Sequence, residues 1–404
     1  MPAVEIYDTT LRDGAQREGI SFSVADKLNI ARELDKLGVS YIEGGWPGSN
    51  PKDIDFFREA SNIAFSRASL VAFGSTRRPG TAPDTDGNLR ALLEAATPAV
   101  TLVGKSSAAQ VAQVLETSGA ENLAMIKDSI AFLKGRGKRV FFDAEHFFDG
   151  FKEDPDYALA TLEAAGAEGA ACLVLCDTNG GALPHEIEAA LGAARKHTAV
   201  PLGIHAHNDS ELAVANSLAA VAAGATQVQG TINGYGERCG NANLCSIIPA
   251  LQLKMGISCL SPVQLAQLSR VSRFVSETAN LAPDGFAPYV GASAFSHKGG
   301  LHVAAITKWL ASYQHIDPAL VGNQTKVVVS ELSGKGNIFY KARELGLAIP
   351  ENGESARELL EQIKQRENRG FQYDQAEASF AVAAAGRQKR PRPGRIEIPG
   401  SPAV

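Results

Sequence analysis

Val4-Glu-Ile-Tyr-Asp-Thr-Thr-Leu-Arg-Asp-Gly14 decides the fold of the first 255 residues. Val4–Tyr7 reads as a short strand, and it runs into Asp8-Thr-Thr-Leu-Arg-Asp-Gly14. An open, doubly wound sheet normally places a glycine-rich GxGxxG phosphate turn after its first strand, and that turn is missing here. Seven further apolar runs follow: Tyr41–Glu43, Ser69–Phe73, Ala99–Val103, Arg139–Asp143, Ala171–Cys176, Leu202–His205 and Thr226–Gln229. Each of the eight leads into an amphipathic stretch: Val24–Leu37, Pro51–Asn62, Asn88–Ala96, Glu121–Lys134, Pro155–Ala165, Pro184–Lys196, Leu212–Ala222 and Asn243–Lys254. The first of these has Ser23 at its cap position and Asp26 three residues on, the pattern of a helix start. Alternating strands and helices call for a parallel sheet. Eight units within about 250 residues close a (β/α)8 barrel. The sequence therefore predicts an α/β (β/α)8 TIM barrel over residues 1–255.

After Lys254 the rhythm changes. Ser261-Pro262 opens a helical stretch to about Leu281, and a Gly-, Pro- and aromatic-rich loop covers Ala282–Gly300. Helical segments are expected around Leu301–Ala311, Glu331–Leu345 and Glu354–Arg369, giving a smaller helical subdomain over residues 256–380 that completes the site. Residues 381–404, with Gly386-Arg-Gln-Lys-Arg-Pro-Arg-Pro-Gly394, are expected to be a disordered basic tail, because such a stretch carries too few apolar groups to order itself.

Composition limits the function. The chain has 404 residues, 45% of them hydrophobic and 21% charged, with a net charge of −5. This balance suits a large folded core and argues against a nucleic-acid-coating surface. No apolar run approaches the roughly 20 residues that span a bilayer, and no leader is visible at Met1-Pro-Ala-Val-Glu-Ile6. Five cysteines are too few and uneven for a disulfide framework, so a cytoplasmic protein is expected.

In a barrel, catalytic groups collect at the C-terminal ends of the strands. Strand seven ends in His205-Ala-His207-Asn-Asp209. Side chains alternate along a strand, so both imidazoles face one way. With Asp13 at the end of strand one, and the amide oxygen of Asn241 beyond strand eight, they form a nitrogen–oxygen set for a divalent metal. Two histidines that merely hydrogen-bond in a core are the plain alternative. Arg12 stays charged, and beside a metal it stabilises charge developing on a carbonyl oxygen. A salt bridge from Arg12 to Glu43 or Asp177 is the structural alternative. Glu145 follows the apolar Val140-Phe-Phe run, where a carboxylate can serve as a base.

Leu11-Arg-Asp-Gly-Ala-Gln16 with Lys27, Leu202-Gly-Ile-His-Ala-His-Asn-Asp209 and Gly236-Glu-Arg-Cys-Gly-Asn-Ala-Asn243 resemble the signatures of the α-isopropylmalate, homocitrate and citramalate synthases. His297-Lys-Gly-Gly-Leu-His302, Tyr313-Gln-His-Ile-Asp-Pro318 and Ser333-Gly-Lys-Gly-Asn337 resemble the subdomain that follows the barrel in that family. The likeness covers roughly residues 3–380. Glu43-Gly-Gly-Trp-Pro-Gly-Ser-Asn-Pro-Lys-Asp53 and Phe142-Asp-Ala-Glu-His-Phe-Phe-Asp149 look most like the branch that condenses acetyl-CoA with pyruvate. The resemblance implies an acyltransferase acting on acetyl-CoA and a small 2-oxo acid, with Mn2+, Mg2+ or Zn2+, as a homodimer with no nucleic-acid or membrane partner. It implies metal ligation by Asp13, His205 and His207 with Asn241, and catalytic roles for Arg12, Glu145, His302 and Tyr313. It also implies substrate contacts from Arg12, Gln16 and Thr178. Isopropylmalate or homocitrate synthesis, a C–C-cleaving lyase and an inactive barrel scaffold are the competing expectations. Family members usually continue into a regulatory domain, whereas Tyr373-Asp-Gln-Ala-Glu-Ala-Ser-Phe380 here runs into the basic tail, so no feedback through that domain is expected.

Overall fold

In a computed structural model of the chain, residues 4–350 and 353–385 are described. The chain folds as two compact units, Met1–Gly291 with Leu320–Gly322, and Ala292–Ala319 with Asn323–Val404.

The first unit is a closed barrel of eight parallel strands: β1 (Glu5–Asp8), β2 (Tyr41–Gly45), β3 (Ser69–Ser75), β4 (Ala99–Lys105), β5 (Arg139–Glu145), β6 (Cys172–Asp177), β7 (Leu202–Ala206) and β8 (Gln227–Gly230). Each strand pairs with the next, and β1 closes on β8 with Tyr7 opposite Gln229. All eight expected strands are present. β3, β4 and β5 each run two residues past the apolar run that announced them, because backbone pairing continues after the hydrophobic pattern stops. The β4–β5 ladder ends on the Lys105–Glu145 pair.

Helices cover the outside for local reasons. In Val24–Leu37 the Ser23 hydroxyl accepts from Asp26 N, and the Asp26 carboxylate accepts from Ser23 N. Gly38, at φ 94°, ends the helix in a left-handed turn that glycine adopts without a Cβ clash. Leu28, Ile30, Ala31, Leu34 and Leu37 are buried along it, each larger one contributing about 1.5–3 kcal/mol of transfer free energy. Two short helices, Ala108–Gln113 and Phe147–Glu153, interrupt the expected loops. The stretch expected as one helix to Leu281 is two, Pro262–Leu265 and Leu268–Thr278, and the latter packs in the barrel unit.

Inside the barrel, alternate residues point to the axis. Tyr7, Tyr41, Val71, Ala99, Phe141, Cys172, Val174 and Cys176 form one buried cluster. Tyr7 meets Phe141 edge-on at 5.8 Å between ring centroids. The inward positions also carry wholly buried polar groups, Glu43, Thr101, Gln227 and Gln229, with Asp143 nearly so. A barrel interior is normally filled by branched apolar side chains, so this polar content needs an account of its own.

The second unit is helical, with Gly300–Lys308, Lys335–Glu344, Glu354–Glu367 and Glu377–Ala385, and one short parallel pair, Ser296–His297 with Lys326–Val327. Val329, Ile338, Leu359, Ile363, Tyr373 and Phe380 make its core. Glu377–Ala385 carries helix five residues into the expected tail because Phe380 and Ala384 are buried. The remainder of that tail, residues 386–404, lies outside the described residues.

Candidate active site

The barrel mouth is a cavity of about 430 Å³ lined by Arg12, Asp13, Gln16, Trp46, Phe73, Lys105, Asp143, Glu145, Thr178, His205, His207 and Arg238, among others. The expected residues Arg12, Asp13, Gln16, Glu145, Thr178, His205 and His207 thus share one wall or another of a single space.

Closing the ring pairs strand one with strand eight, one strand away from strand seven, and Asp13 meets the two imidazoles there. His205 Nε2 lies 3.3 Å from Asp13 Oδ2 and 3.3 Å from His207 Nε2, while His207 Nε2 is 3.8 Å from Asp13 Oδ2. One donor atom from each of the three falls within 4.8 Å of the others, and all three residues are buried. Both oxygens of Asp13 are buried without a hydrogen-bond partner, as are both ends of the Asn241 amide. Asn241 forms an isolated bridge with His207. Buried polar atoms are nearly always paired. Unpaired Asp13 oxygens facing two imidazole Nε2 atoms are what a divalent cation would satisfy, so the residues fit a metal of the N2O type.

Two of the three charges agree with that fit; at His205 burial works to lower the ring, but Asp13 outweighs it and raises it. Burial works to raise the Asp13 carboxyl, but the Arg12 guanidinium and the imidazoles outweigh it and hold it well below the usual range. Burial and the neighbouring His205 push His207 down to about 4, leaving a neutral ring with a free lone pair.

Two hydrogen-bonded chains underlie the mouth. In the first, Tyr7 Oη donates to Glu43 Oε2 at 2.6 Å and lies 2.6 Å from Thr101 Oγ1, and Arg12 Nε donates to Glu43 Oε1 at 2.6 Å. Of the two carboxylates expected for Arg12, Glu43 is the partner. Asp177 instead accepts from the Gly181 and Ala182 amides. In the second, Gln229 spans from His205 Nδ1 to Asp143 Oδ1, 2.9 Å at each end. Burial and then Glu43 push Asp143 up to about 7.

Glu145 ends β5 half-buried, and in place of apolar walls it meets an ammonium: Lys105 Nζ is 2.6 Å from its Oε2. Thr178 Oγ1 accepts from His146 N at 2.8 Å, so its own proton is free to donate. His146 holds the left-handed region at φ 57°, an uncommon conformation for a residue with a side chain. Arg238 forks onto Asp209 at 2.7 and 2.9 Å and also donates to Thr178 O at 2.8 Å, joining the loops after β6, β7 and β8. His302 and Tyr313 lie in the second unit, where their rings stack with centroids 4.2 Å apart.

Sequence reading missed Lys105, Asp143 and Gln229, and offered Glu43 only as a salt-bridge partner for Arg12. The available signal was a polar residue at an inward position, two along from another inward residue: Tyr41 and Glu43, Gln227 and Gln229.

Two family models match the chain: HMGL-like over residues 3–275 and homocitrate synthase post-HMGL domain-like over residues 289–370. The chain is 55% identical over 382 residues to an (R)-citramalate synthase of Geobacter sulfurreducens, covering 95% of this chain and 72% of that one. It is also 55% identical to an (R)-citramalate synthase of Synechocystis sp., covering 93% and 70%. A homocitrate synthase of Methanopyrus kandleri is more distant, at 35% identity over 89% of this chain and 87% of its own. Among solved structures, the HMG-CoA lyase of Bacillus subtilis superposes with a TM-score of 0.60 at 22% identity, over 70% of this chain and 97% of that one. At that identity the likeness bears on the fold alone.

Proposed function

We propose the following of a chain that belongs to the HMGL-like family: it condenses acetyl-CoA with pyruvate and hydrolyses the thioester, releasing citramalate and CoA. The observation that carries the chemistry is the buried Asp13–His205–His207 trio beside Arg12 at the barrel mouth. The choice of pyruvate follows the citramalate synthases that the chain resembles over nearly its whole length.

Asp13, His205 and His207, with the Asn241 amide oxygen, would hold the cation. A divalent ion so bound is a Lewis acid that draws charge onto a substrate ketone oxygen. Mn2+, Mg2+ and Zn2+ all suit the donor set.

The side chains do the rest. Arg12 is anchored by Glu43 and backed by the Phe73 ring, 3.9 Å from its guanidinium carbon. Its remaining N–H groups donate to the ketone oxygen and hold the alkoxide as charge develops. The Thr178 hydroxyl donates to the 2-oxo acid carboxylate, with Gln16 at the same rim. Glu145 takes a proton from the acetyl methyl group. The resulting enolate carbon attacks the ketone, and water then cleaves the thioester, which draws the sequence forward. Among the described residues no helix is long and apolar enough to cross a membrane. The five cysteines are all free, which fits a reducing cytoplasm. The working unit is expected to be a homodimer.

Steady-state thiol release with pyruvate, 2-oxoisovalerate and 2-oxoglutarate tests the reading. Pyruvate is expected to give the highest kcat/KM. A higher value with either larger acid would replace this substrate by that one.

A further inference from the structure

We infer that Gln229, oriented by Asp143, is a positioning residue that keeps the proton of His205 on Nδ1 and so leaves the Nε2 lone pair aimed at Asp13 and His207. The inference rests on the metal-ligand reading above and deepens it.

The placement comes from strand register. β7 and β8 pair with His205 opposite Gln229, so both side chains enter the barrel at one level. Gln229 is wholly buried. An unpaired amide there would be costly, yet this one is used at both ends: Oε1 is 2.9 Å from His205 Nδ1, and Nε2 is 2.9 Å from Asp143 Oδ1.

The direction of the amide is set by its far partner. Asp143 Oδ1 lies 2.9 Å from the amide nitrogen of Gln229 and accepts its N–H. Gln229 therefore presents its carbonyl oxygen to His205. Only a protonated Nδ1 can answer a carbonyl oxygen, so in the neutral ring the lone pair falls on Nε2. Turning the amide over would place two oxygens together at Asp143 and an N–H against Nδ1. The proton would then move to Nε2, and the imidazole would face the trio with an N–H instead of a lone pair. Groups that fix a ligating histidine in this way are half of a metal site's construction.

His207 supplies the contrast. Its Nδ1 is buried with no hydrogen-bond partner. Of the two imidazoles, His205 is the one set in advance and His207 is the one free to adjust. That asymmetry also explains why a barrel interior carries Gln229 and Asp143 where apolar side chains would pack more cheaply.

The test uses the full chain stripped of metal and titrated with Mn2+ by calorimetry. Gln229→Met keeps the length and removes the acceptor. Gln229→Glu combined with Asp143→Asn keeps the charge of the pair and restores an acceptor at Nδ1, since the new carboxylate accepts from both the imidazole and the new amide. Gln229→Met is expected to weaken Mn2+ binding about 10- to 100-fold, and the double variant to recover most of that loss. In Zn2+-loaded protein with 15N-histidine, the His205 Nδ1–H resonance, identified by its loss in His205→Gln, is expected in the wild type and the double variant, and weakened or shifted upfield in Gln229→Met. Wild-type affinity in Gln229→Met, or a double variant no better than it, would overturn the inference. Should Gln229→Met fail to fold, the double variant decides: near-wild-type binding supports the relay, and a tenfold or greater loss refutes it. If the wild type takes up no Mn2+, the metal-ligand reading falls. The His205 tautomer measured in the ion-free protein, at a pH where the ring is neutral, then still decides the role of Gln229.

Discussion

Arg12 Nε donates to Glu43 Oε1 at 2.6 Å while the face of the same guanidinium lies on the Phe73 ring at 3.9 Å. One contact fixes the rotation of the fork and the other fixes its plane. Glu43 is itself held by Tyr7, whose hydroxyl also meets Thr101. The position of the cationic group at the barrel mouth is therefore set by four buried side chains, Glu43, Phe73, Tyr7 and Thr101.

Glu43→Gln tests that support. The amide oxygen can still accept from Arg12 and its nitrogen can still reach Tyr7, so the barrel is expected to fold with an unchanged far-UV spectrum. The guanidinium loses the charge that anchors it, and a small misplacement of a polarising group costs about 100-fold in rate. A loss of that order in kcat/KM for the 2-oxo acid is expected, read by thiol release. An unchanged kcat/KM would show that Phe73 alone suffices.

Chelation tests the trio. EDTA is expected to abolish thiol release, and Mn2+ or Mg2+ to restore it. A ligand bound to the folded state alone stabilises it by about 2.7 kcal/mol at 100 times its Kd. Adding Mn2+ is therefore expected to raise Tm by several degrees in the wild type and to leave Asp13→Asn unmoved. An equal rise in both would remove Asp13 from the ligand set.

Arg238→Lys separates positioning from stability. Arg238 is about two-fifths exposed, and its side chain joins Asp209 to the Thr178 carbonyl. A lysine cannot make the fork, and exposed ion pairs contribute only about 0–1 kcal/mol. Tm is expected to hold within a degree or two while KM for the 2-oxo acid rises severalfold, because Thr178 loses its tie. A fall in Tm with KM unchanged would assign Arg238 to the scaffold.

Asp8 gives a pH dependence remote from the candidate ligands. It is wholly buried at the end of β1, where burial pushes its carboxyl up to about 7 against hydrogen bonds from Thr10 N and Oγ1. A carboxyl whose folded value exceeds its unfolded value binds the proton more tightly when folded. Its contribution to stability is therefore fully present below the unfolded value, near 3.8, and is lost as pH rises towards 7. Asp8→Asn cannot titrate, so its Tm is expected to vary less with pH than the wild type's between about 4 and 7. Parallel Tm profiles would show that Asp8 does not carry the effect.

Much of the architecture was legible because it is local. Ser23 and Asp26 cap a helix within four residues, and that helix begins and ends where periodicity and Gly38 place it. The strand runs were short at their C-terminal ends because Gly104-Lys105 and Ala144-Glu145 break the apolar pattern while remaining hydrogen-bonded in the ladder. The helix Phe147–Glu153 went unseen because it starts at His146 with no side-chain cap.

The ligand candidates were legible for a related reason. His205 and His207 share a face by period alone, and Asp13 sits in the loop five residues past β1, which any eight-stranded closure brings round to them. What supports those groups depends on register across the barrel: Glu43 under Arg12, Gln229 and Asp143 behind His205, Lys105 against Glu145.

By itself, then, the order of residues determined the eightfold repeat, the caps and turns, and which end of the strands would carry polar chemistry. These follow from steric and hydrogen-bonding preferences acting over a few positions. Only the closed ring decided which buried donor meets which acceptor. A hydrogen bond depends on ångström-scale separation, and residues as far apart in the chain as Asp143 and Gln229 reach it only when eight strands settle into one register.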